Sequence, residues 1–353
     1  MPRATIDTNT VLVCRFSALG DVAMTIPIVY SAAVENPKMR FVVLTKKAVT
    51  GIFLNAPSNV EVVGIDLKDT RHKGAAGIRR LYNDIRRRYG FGRFADLHSV
   101  LRSRLFGAFC RLGGIRTARI DKGRGEKRAL TRHTGKSVQP LRSGFDRYSQ
   151  VFASLGIAVG NNFTRLIPPA KPEAYAPVAE AKKEGERWIG IAPFAAHEGK
   201  IYPLEMMREV VNHFASLDST KVFLFGGGKG EENVLDDWAD GNDNVVSLAG
   251  RRAGFAVELA VQSVLDVMLS MDSANMHLAS LVGTRVVSVW GATHPYCGFG
   301  GWRQPAENAM GLALDCRPCS VYGNKPCRRG DYFCLSGIKP QMIIDKITTL
   351  IYG

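Results

Sequence analysis

The sequence predicts an α/β protein built from two similar halves, each a parallel sheet with crossover helices. Three observations carry this expectation. Apolar, β-branched runs of strand length alternate with helical segments, the pattern of a parallel sheet. The alternation stops at residues 167–187, where four prolines fall within eleven residues, and then restarts. The length of 353 residues exceeds one ordinary domain and suffices for two packed cores.

In the first half, Val11-Leu12-Val13-Cys14-Arg15-Phe16 is an apolar run with no helical period and reads as a buried strand. Ser17-Ala18-Leu19-Gly20-Asp21 follows as a turn, and a single helix is expected over 22–35, its first turn near Asp21. Residues 41–45, 60–65, 93–98 and 117–120 are expected strands. In the second half, strands are expected at 188–192, 221–225, 244–248 and 285–290, with a helix over 204–217. The expected division is a first domain of residues 1–166, a linker of 167–187 and a second domain of 188–353.

Composition excludes several classes. With 46% hydrophobic and 22% charged residues the chain is neither disordered nor fibrous. The longest apolar stretch, residues 22–34, is interrupted by Pro27 and falls short of the ~20 residues of a spanning helix. The segment Met1-Pro2-Arg3-Ala4-Thr5-Ile6-Asp7 has no apolar core behind its Arg, so no secretion signal is expected and the cytoplasm is the expected location. Charge is concentrated: residues 66–150 hold 22 Lys and Arg against 7 Asp and Glu, while the rest of the chain is balanced. Such a block points to an acidic or phosphorylated partner, or to a solvated basic face. A nucleic-acid partner is not expected, because the block lacks any recognition signature and its aromatics are sparse.

Several motifs bear on chemistry. Gly226-Gly227-Gly228-Lys229-Gly230 follows a strand but has Glu231 where the dinucleotide fingerprint needs Gly, so it reads as a tight turn. In Asp272-Ser273-Ala274-Asn275-Met276-His277, Asp272 or Ser273 can cap a short helix that Gly283 ends. The N–H groups at its start form a ready site for a diphosphate, and His277 one turn in can face that anion or fill core. Cys316, Cys319, Cys327 and Cys334 cluster near the carboxyl end, leaving three readings open: structural zinc, reduced thiols or a disulfide. Cys14 and Cys110 read as small core residues.

Taken together, Arg15-Phe16-Ser17-Ala18-Leu19-Gly20-Asp21-Val22 with Thr25-Ile26-Pro27 resembles the opening signature of glycosyltransferase family 9, the bacterial lipopolysaccharide heptosyltransferases. Further matches follow in the family's order: Asp96-Leu97-His98-Ser99-Val100-Leu101-Arg102-Ser103, Lys200-Ile201-Tyr202-Pro203, the 272–283 segment, and Gly291-Ala292-Thr293-His294-Pro295. The terminal cysteine cluster also has counterparts in many members. The resemblance spans nearly the whole chain.

This resemblance implies the GT-B architecture: two Rossmann-like domains with parallel sheets facing across a cleft, acceptor on the first and nucleotide-sugar on the second. It implies an inverting transfer that needs no metal or other cofactor, with ADP-heptose as donor and Kdo or heptose of the lipopolysaccharide inner core as acceptor. Asp21 matches the general base, Lys200 a donor-phosphate ligand and Asp272 a donor-sugar ligand, with Ser273, Ala274 and His277 in the donor segment. Ser17 falls on the acceptor side, where Arg102, Arg104, Arg119 and Lys122 of the basic block are candidates to meet acceptor phosphates and carboxylates. A phosphorylated lipid A/Kdo acceptor further implies a peripheral position on the cytoplasmic face of the inner membrane, against its anionic surface. Tyr202, Ala292 and His294 depart from the family's usual Trp, Pro and Asp, which leaves open another nucleotide-sugar donor; a catalytically silent sugar-nucleotide-binding homologue is a further alternative, against which the retained Asp21, Lys200 and Asp272 argue.

Overall fold

The structure is a computed structural model that describes residues 6–353; Met1 to Thr5, within the segment expected to carry no secretion signal, lie outside the described residues. The chain divides into two compact units. One comprises residues up to Gly123 together with Ser143–Thr164, the other Arg124–Arg142 together with Arg165–Gly353. Residues 124–142 thus group with the second unit rather than with the first 166 residues. There the Lys127 ammonium sits 3.9 Å from the Phe299 ring centroid, and the Leu141 N–H donates to the Tyr296 carbonyl at 2.9 Å.

In chain order the elements are β1 (Asp7–Cys14), α1 (Leu19–Ala23), α2 (Ile26–Glu35), β2 (Arg40–Lys46), β3 (Val60–Ile65), α3 (Gly74–Tyr89), β4 (Phe91–Asp96), α4 (Leu101–Leu112), β5 (Arg116–Arg119), α5 (Arg124–Leu130) and α6 (Gly144–Ser154). There follow β6 (Arg187–Ala192), α7 (Leu204–Ala215), β7 (Thr220–Leu224), α8 (Lys229–Ala239), β8 (Val245–Ser247), α9 (Phe255–Val264), β9 (Val267–Met271), α10 (Ala274–Leu281), β10 (Val286–Val289), β11 (Ala309–Met310), α11 (Phe333–Ser336) and α12 (Pro340–Tyr352). Residues 167–187, the expected linker, hold only a short 3-10 turn at Pro172–Ala174 before β6.

Each unit carries one all-parallel sheet, in the order β3-β2-β1-β4-β5 in the first and β11-β10-β9-β6-β7-β8 in the second. Both sheets are doubly wound, so the parallel α/β halves expected from the alternation, and the Rossmann-like class that the resemblance implies, are the ones observed. The buried stretches of the central strands, residues 11–14 and 188–192 among them, are apolar on both faces because helices cover them. Leu12, Cys14, Val42, Leu44, Phe94 and Phe106 pack in one core of the first unit, and Trp188, Phe223, Met268, Val286 and Trp290 in one layer of the second.

The single helix expected over 22–35 is two. Pro27 stands at the start of α2 and has no N–H to continue the hydrogen-bond ladder from α1, so the backbone breaks at Met24–Thr25. The arginine run Arg86-Arg87-Arg88 closes α3, where cations suit the carbonyl end of the helix dipole, and Gly90 ends it at φ 60°. Among the described residues no helix is long and apolar enough to cross a membrane.

Candidate functional site

In an open doubly wound sheet, ligands gather beyond the carboxyl ends of the strands where the strand order reverses. In the first unit that point lies between β1 and β4, in the second between β6 and β9. The candidate residues fall at both.

Beyond β1, Arg15 is buried and its Nη2 lies 2.5 Å from Asp21 Oδ2, while its Nη1 donates to the Leu97 carbonyl beyond β4 at 2.7 Å. Asp21 lies in the first turn of α1, where Oδ2 also accepts the Ala18 N–H at 3.3 Å. Asp21 is therefore not the capping residue at the helix start; it reaches back from one turn in. The Tyr148 hydroxyl of α6 donates to the Asp21 carbonyl at 3.3 Å, and the Tyr148 ring lies 6.0 Å from the Arg15 guanidinium. The carboxylate is thus held in place yet stays partly open to solvent.

Beside it, Asp96 Oδ1 accepts the N–H groups of His98 at 3.0 Å and Ser99 at 2.8 Å, which turns the chain sharply after β4 with Ser99 at φ 48°. His98 Nδ1 accepts the Phe16 N–H at 3.4 Å, so the proton sits on Nε2. Burial, with the charges of Arg15 and Lys122 adding to it, pushes the imidazole down to about 3, so His98 is neutral at physiological pH. A cavity of about 990 Å³ opens here, with Phe16, Ser17, Lys46, Lys68, His98 and Arg102 among its lining residues.

Of the expected acceptor residues the structure groups Ser17 and Arg102 in this cavity, and it brings Lys122 close enough to act on His98. Arg104 and Arg119 line a different hollow. The reason is helical geometry: two residues apart on α4 is about 200° around the axis, so Arg102 and Arg104 point to opposite sides.

In the second unit Lys200 follows β6 and Asp272 follows β9. Lys200 Nζ lies 2.9 Å from Asp272 Oδ2 and donates to the Asp272 carbonyl at 3.1 Å, with only 14% and 5% of the two side chains exposed. The two residues expected to touch different parts of the donor are thus partners. Three glycines make room for the lysine loop: a Cβ on Gly199 would stand 2.8 Å from the Gly323 carbonyl, one on Gly291 2.6 Å from the Gly199 carbonyl, and one on Gly323 2.6 Å from Lys200 Cγ. Ser273 precedes α10 in extended backbone, its Oγ 3.2 Å from Ser270 Oγ rather than bonded to the helix's own N–H groups. Ala274 opens the helix and His277 is buried one turn in. The Gly226–Gly228 turn is closed by Glu231, whose Oε2 accepts the Gly227 N–H at 2.8 Å.

Tyr202 and His294 have local structural roles. The Tyr202 side chain is fully buried and its hydroxyl donates to the Ile338 carbonyl at 2.6 Å. His294 Nδ1 accepts the Tyr296 N–H at 3.1 Å, and burial pushes its imidazole down to about 4.

Among the described residues no group of three or more His, Cys, Asp or Glu side chains is placed to hold a metal ion, and Cys316, Cys319, Cys327 and Cys334 are all free thiols. Arg317 lies among these thiols, and its guanidinium donates to the carbonyls of Trp290, Gly291, Thr293 and Leu312. Gly323 of this segment packs on Lys200, and the N–H groups of Cys319 and Ser320 donate to the Ala292 carbonyl. The basic carbonyl clamp of Arg317 and the Arg15 pair had no spacing signal in the sequence; each shows only as a cation at the edge of a strand or a turn.

Residues 144–328, more than half of the chain, match the model of glycosyltransferase family 9 (heptosyltransferase). Lipooligosaccharide heptosyltransferase 2 of Campylobacter jejuni subsp. jejuni serotype O:6 is 22% identical over 342 residues, covering 94% of this chain and 96% of the relative. The crystal structure of the family 9 glycosyltransferase from Veillonella parvula superposes with a TM-score of 0.74 at 18% identity, covering 98% of both chains. The E. coli heptosyltransferase WaaC with ADP superposes with a TM-score of 0.65 at 16% identity, covering 97% of this chain and 99% of that one. These likenesses of structure show a shared GT-B fold.

Proposed function

Because the chain belongs to glycosyltransferase family 9 and is a glycosyltransferase, we propose that it moves heptose from ADP-heptose to Kdo or heptose of the lipopolysaccharide inner core, with inversion. The observation that carries this reading is the Lys200–Asp272 pair at the strand-order reversal of the second sheet, beside the N-terminus of α10. An ammonium and a helix N-terminus together supply the positive charge that a departing diphosphate needs, so the transfer requires no metal. Asp272 holds the lysine and meets the donor sugar, with Ser273, Ala274 and His277 forming the surrounding wall.

The first unit supplies the general base. Asp21 accepts the proton of the acceptor hydroxyl as its oxygen bonds to the anomeric carbon; the bond from that carbon to the diphosphate breaks, ADP leaves with the electron pair, and the configuration inverts. The Arg15 pair fixes the carboxylate for this step. Ser17, Arg102 and Lys122 hold acceptor hydroxyls and acidic groups at the cavity beyond β1 and β4. The basic segment lies against an anionic membrane surface, a reading supported by Leu101 and Leu112, which are 85% and 86% exposed at the two ends of α4 among its arginines. Binding to anionic vesicles then weakens as salt rises.

The donor is tested by thermal unfolding of the full chain with a panel of nucleotide-sugars, since selective binding stabilises by mass action. ADP-heptose raises the melting temperature and UDP-sugars do not. An equal rise with UDP-sugars, or none with ADP-heptose, overturns the donor assignment.

A further inference from the structure

On the β5 edge of the first unit's sheet lies a hollow of about 320 Å³, lined by Phe94, Asp96, Arg104, Gly107, Arg111, Thr117, Ala118 and Arg119. Arg104, Gly107 and Arg111 are spaced three and four residues apart on α4 and therefore share one face. Gly107 opens the floor. A Cβ there would stand 3.2 Å from the Phe94 ring and 3.9 Å from Arg111 Nη1, so the Arg111 guanidinium lies back over the glycine. From the opposite wall, Arg119 of β5 stands in register with Asp96 of β4.

Asp96 is only 2% exposed, and its two oxygens differ. Oδ1 accepts the His98 and Ser99 N–H groups, whereas Oδ2 is buried with no hydrogen-bond partner among the described residues. A buried carboxylate oxygen left without a donor is costly. The hollow therefore carries three cations, with an unmet acceptor on the buried side chain of Asp96 in its lining.

We propose that this hollow binds a phosphate monoester that carries a neighbouring hydroxyl, the chemistry of a sugar phosphate. The phosphate dianion pairs with Arg104, Arg111 and Arg119, and the hydroxyl donates to Asp96 Oδ2. The volume is at the lower end of small-ligand pockets, enough for one phosphorylated sugar unit. The hollow is separate from the Ser17 and His98 cavity, and its ligand is independent of the sugar the enzyme transfers.

Calorimetry on the full chain compares glycerol 3-phosphate, which carries hydroxyls, with methyl phosphate, which carries none. The first is expected to bind about ten-fold tighter. Arg111→Gln and Arg119→Gln, both changes at exposed side chains, are each expected to weaken both ligands roughly five- to ten-fold. Asp96→Asn keeps the Oδ1 acceptor and is expected to abolish the preference for the hydroxyl-bearing ester. Unchanged affinities in both arginine variants overturn the site, and a preference that survives in Asp96→Asn overturns the role of Oδ2. Vesicles containing phosphatidic acid give the other arm: if they bind through Arg111 and Arg119 while soluble esters do not bind, the ligand is a lipid phosphate and the sugar-phosphate proposal falls.

Discussion

The Arg15 guanidinium lies 2.5 Å from the Asp21 carboxylate, with the arginine 8% and the aspartate 32% exposed. The carboxylate proposed to take the acceptor proton is thus also the counter-ion of a buried cation. Asp21→Asn is expected to lower turnover by ~10² to 10⁴ through loss of the base. It also leaves Arg15 without its counter-charge, at a cost of about 1–2 kcal/mol once the partial exposure of Asp21 is allowed for. A steady-state assay with a melting curve checks both. Near-normal turnover removes Asp21 from the chemistry, and a melting temperature unchanged from wild type removes the pair from the stability of the fold.

The Lys200–Asp272 pair separates stability from donor binding. Lys200→Ala leaves the buried Asp272 unmatched and is expected to cost about 3 kcal/mol in denaturant unfolding while weakening the donor ten-fold or more. The double variant Lys200→Met/Asp272→Asn recovers part of the stability but none of the affinity. Recovery of donor binding in the double variant contradicts the donor role of the lysine.

Tyr202 is a core residue, so Tyr202→Phe is expected to cost ~1–3 kcal/mol by leaving the Ile338 carbonyl unpaired. Relative affinities for different nucleotide-sugars stay as they were. A changed donor preference in a competition assay argues that Tyr202 acts on the sugar.

Glu258, in the first turn of α9, is pushed up to about 7 by burial. Between the ordinary glutamate range and pH 7 the folded chain keeps a proton that the unfolded chain has released. Its contribution is therefore complete at low pH and is lost as pH rises from the ordinary glutamate range through 7, an effect of about 3 kcal/mol. Glu258→Gln removes that slope. Melting temperatures recorded from pH 4.5 to 8 for both proteins are expected to diverge as pH rises, with the variant the more stable at pH 8; parallel curves refute the assignment.

Much of the fold was legible because it is written locally. Apolar runs such as residues 11–16 and 221–225 have the period and branching of buried parallel strands, and their alternation with helices forces a doubly wound sheet. Asp21, Lys200 and Asp272 were singled out by the family resemblance of their motifs, and each stands after a strand or its turn, the position to which such a sheet brings ligand-binding groups.

The partners of those residues were decided by the tertiary structure alone. Arg15 meets Leu97 across 82 positions and Lys200 meets Asp272 across 72, and such pairings follow from strand order, which the local pattern leaves free. Arg102 and Arg104 are neighbours in the sequence but face different hollows, because a helix turns successive side chains by about 100°. Sequence alone determined which strands and helices form and which charged groups stand at their ends; only packing decided which of those charges share a cavity, since contact depends on the placement of elements rather than on distance along the chain.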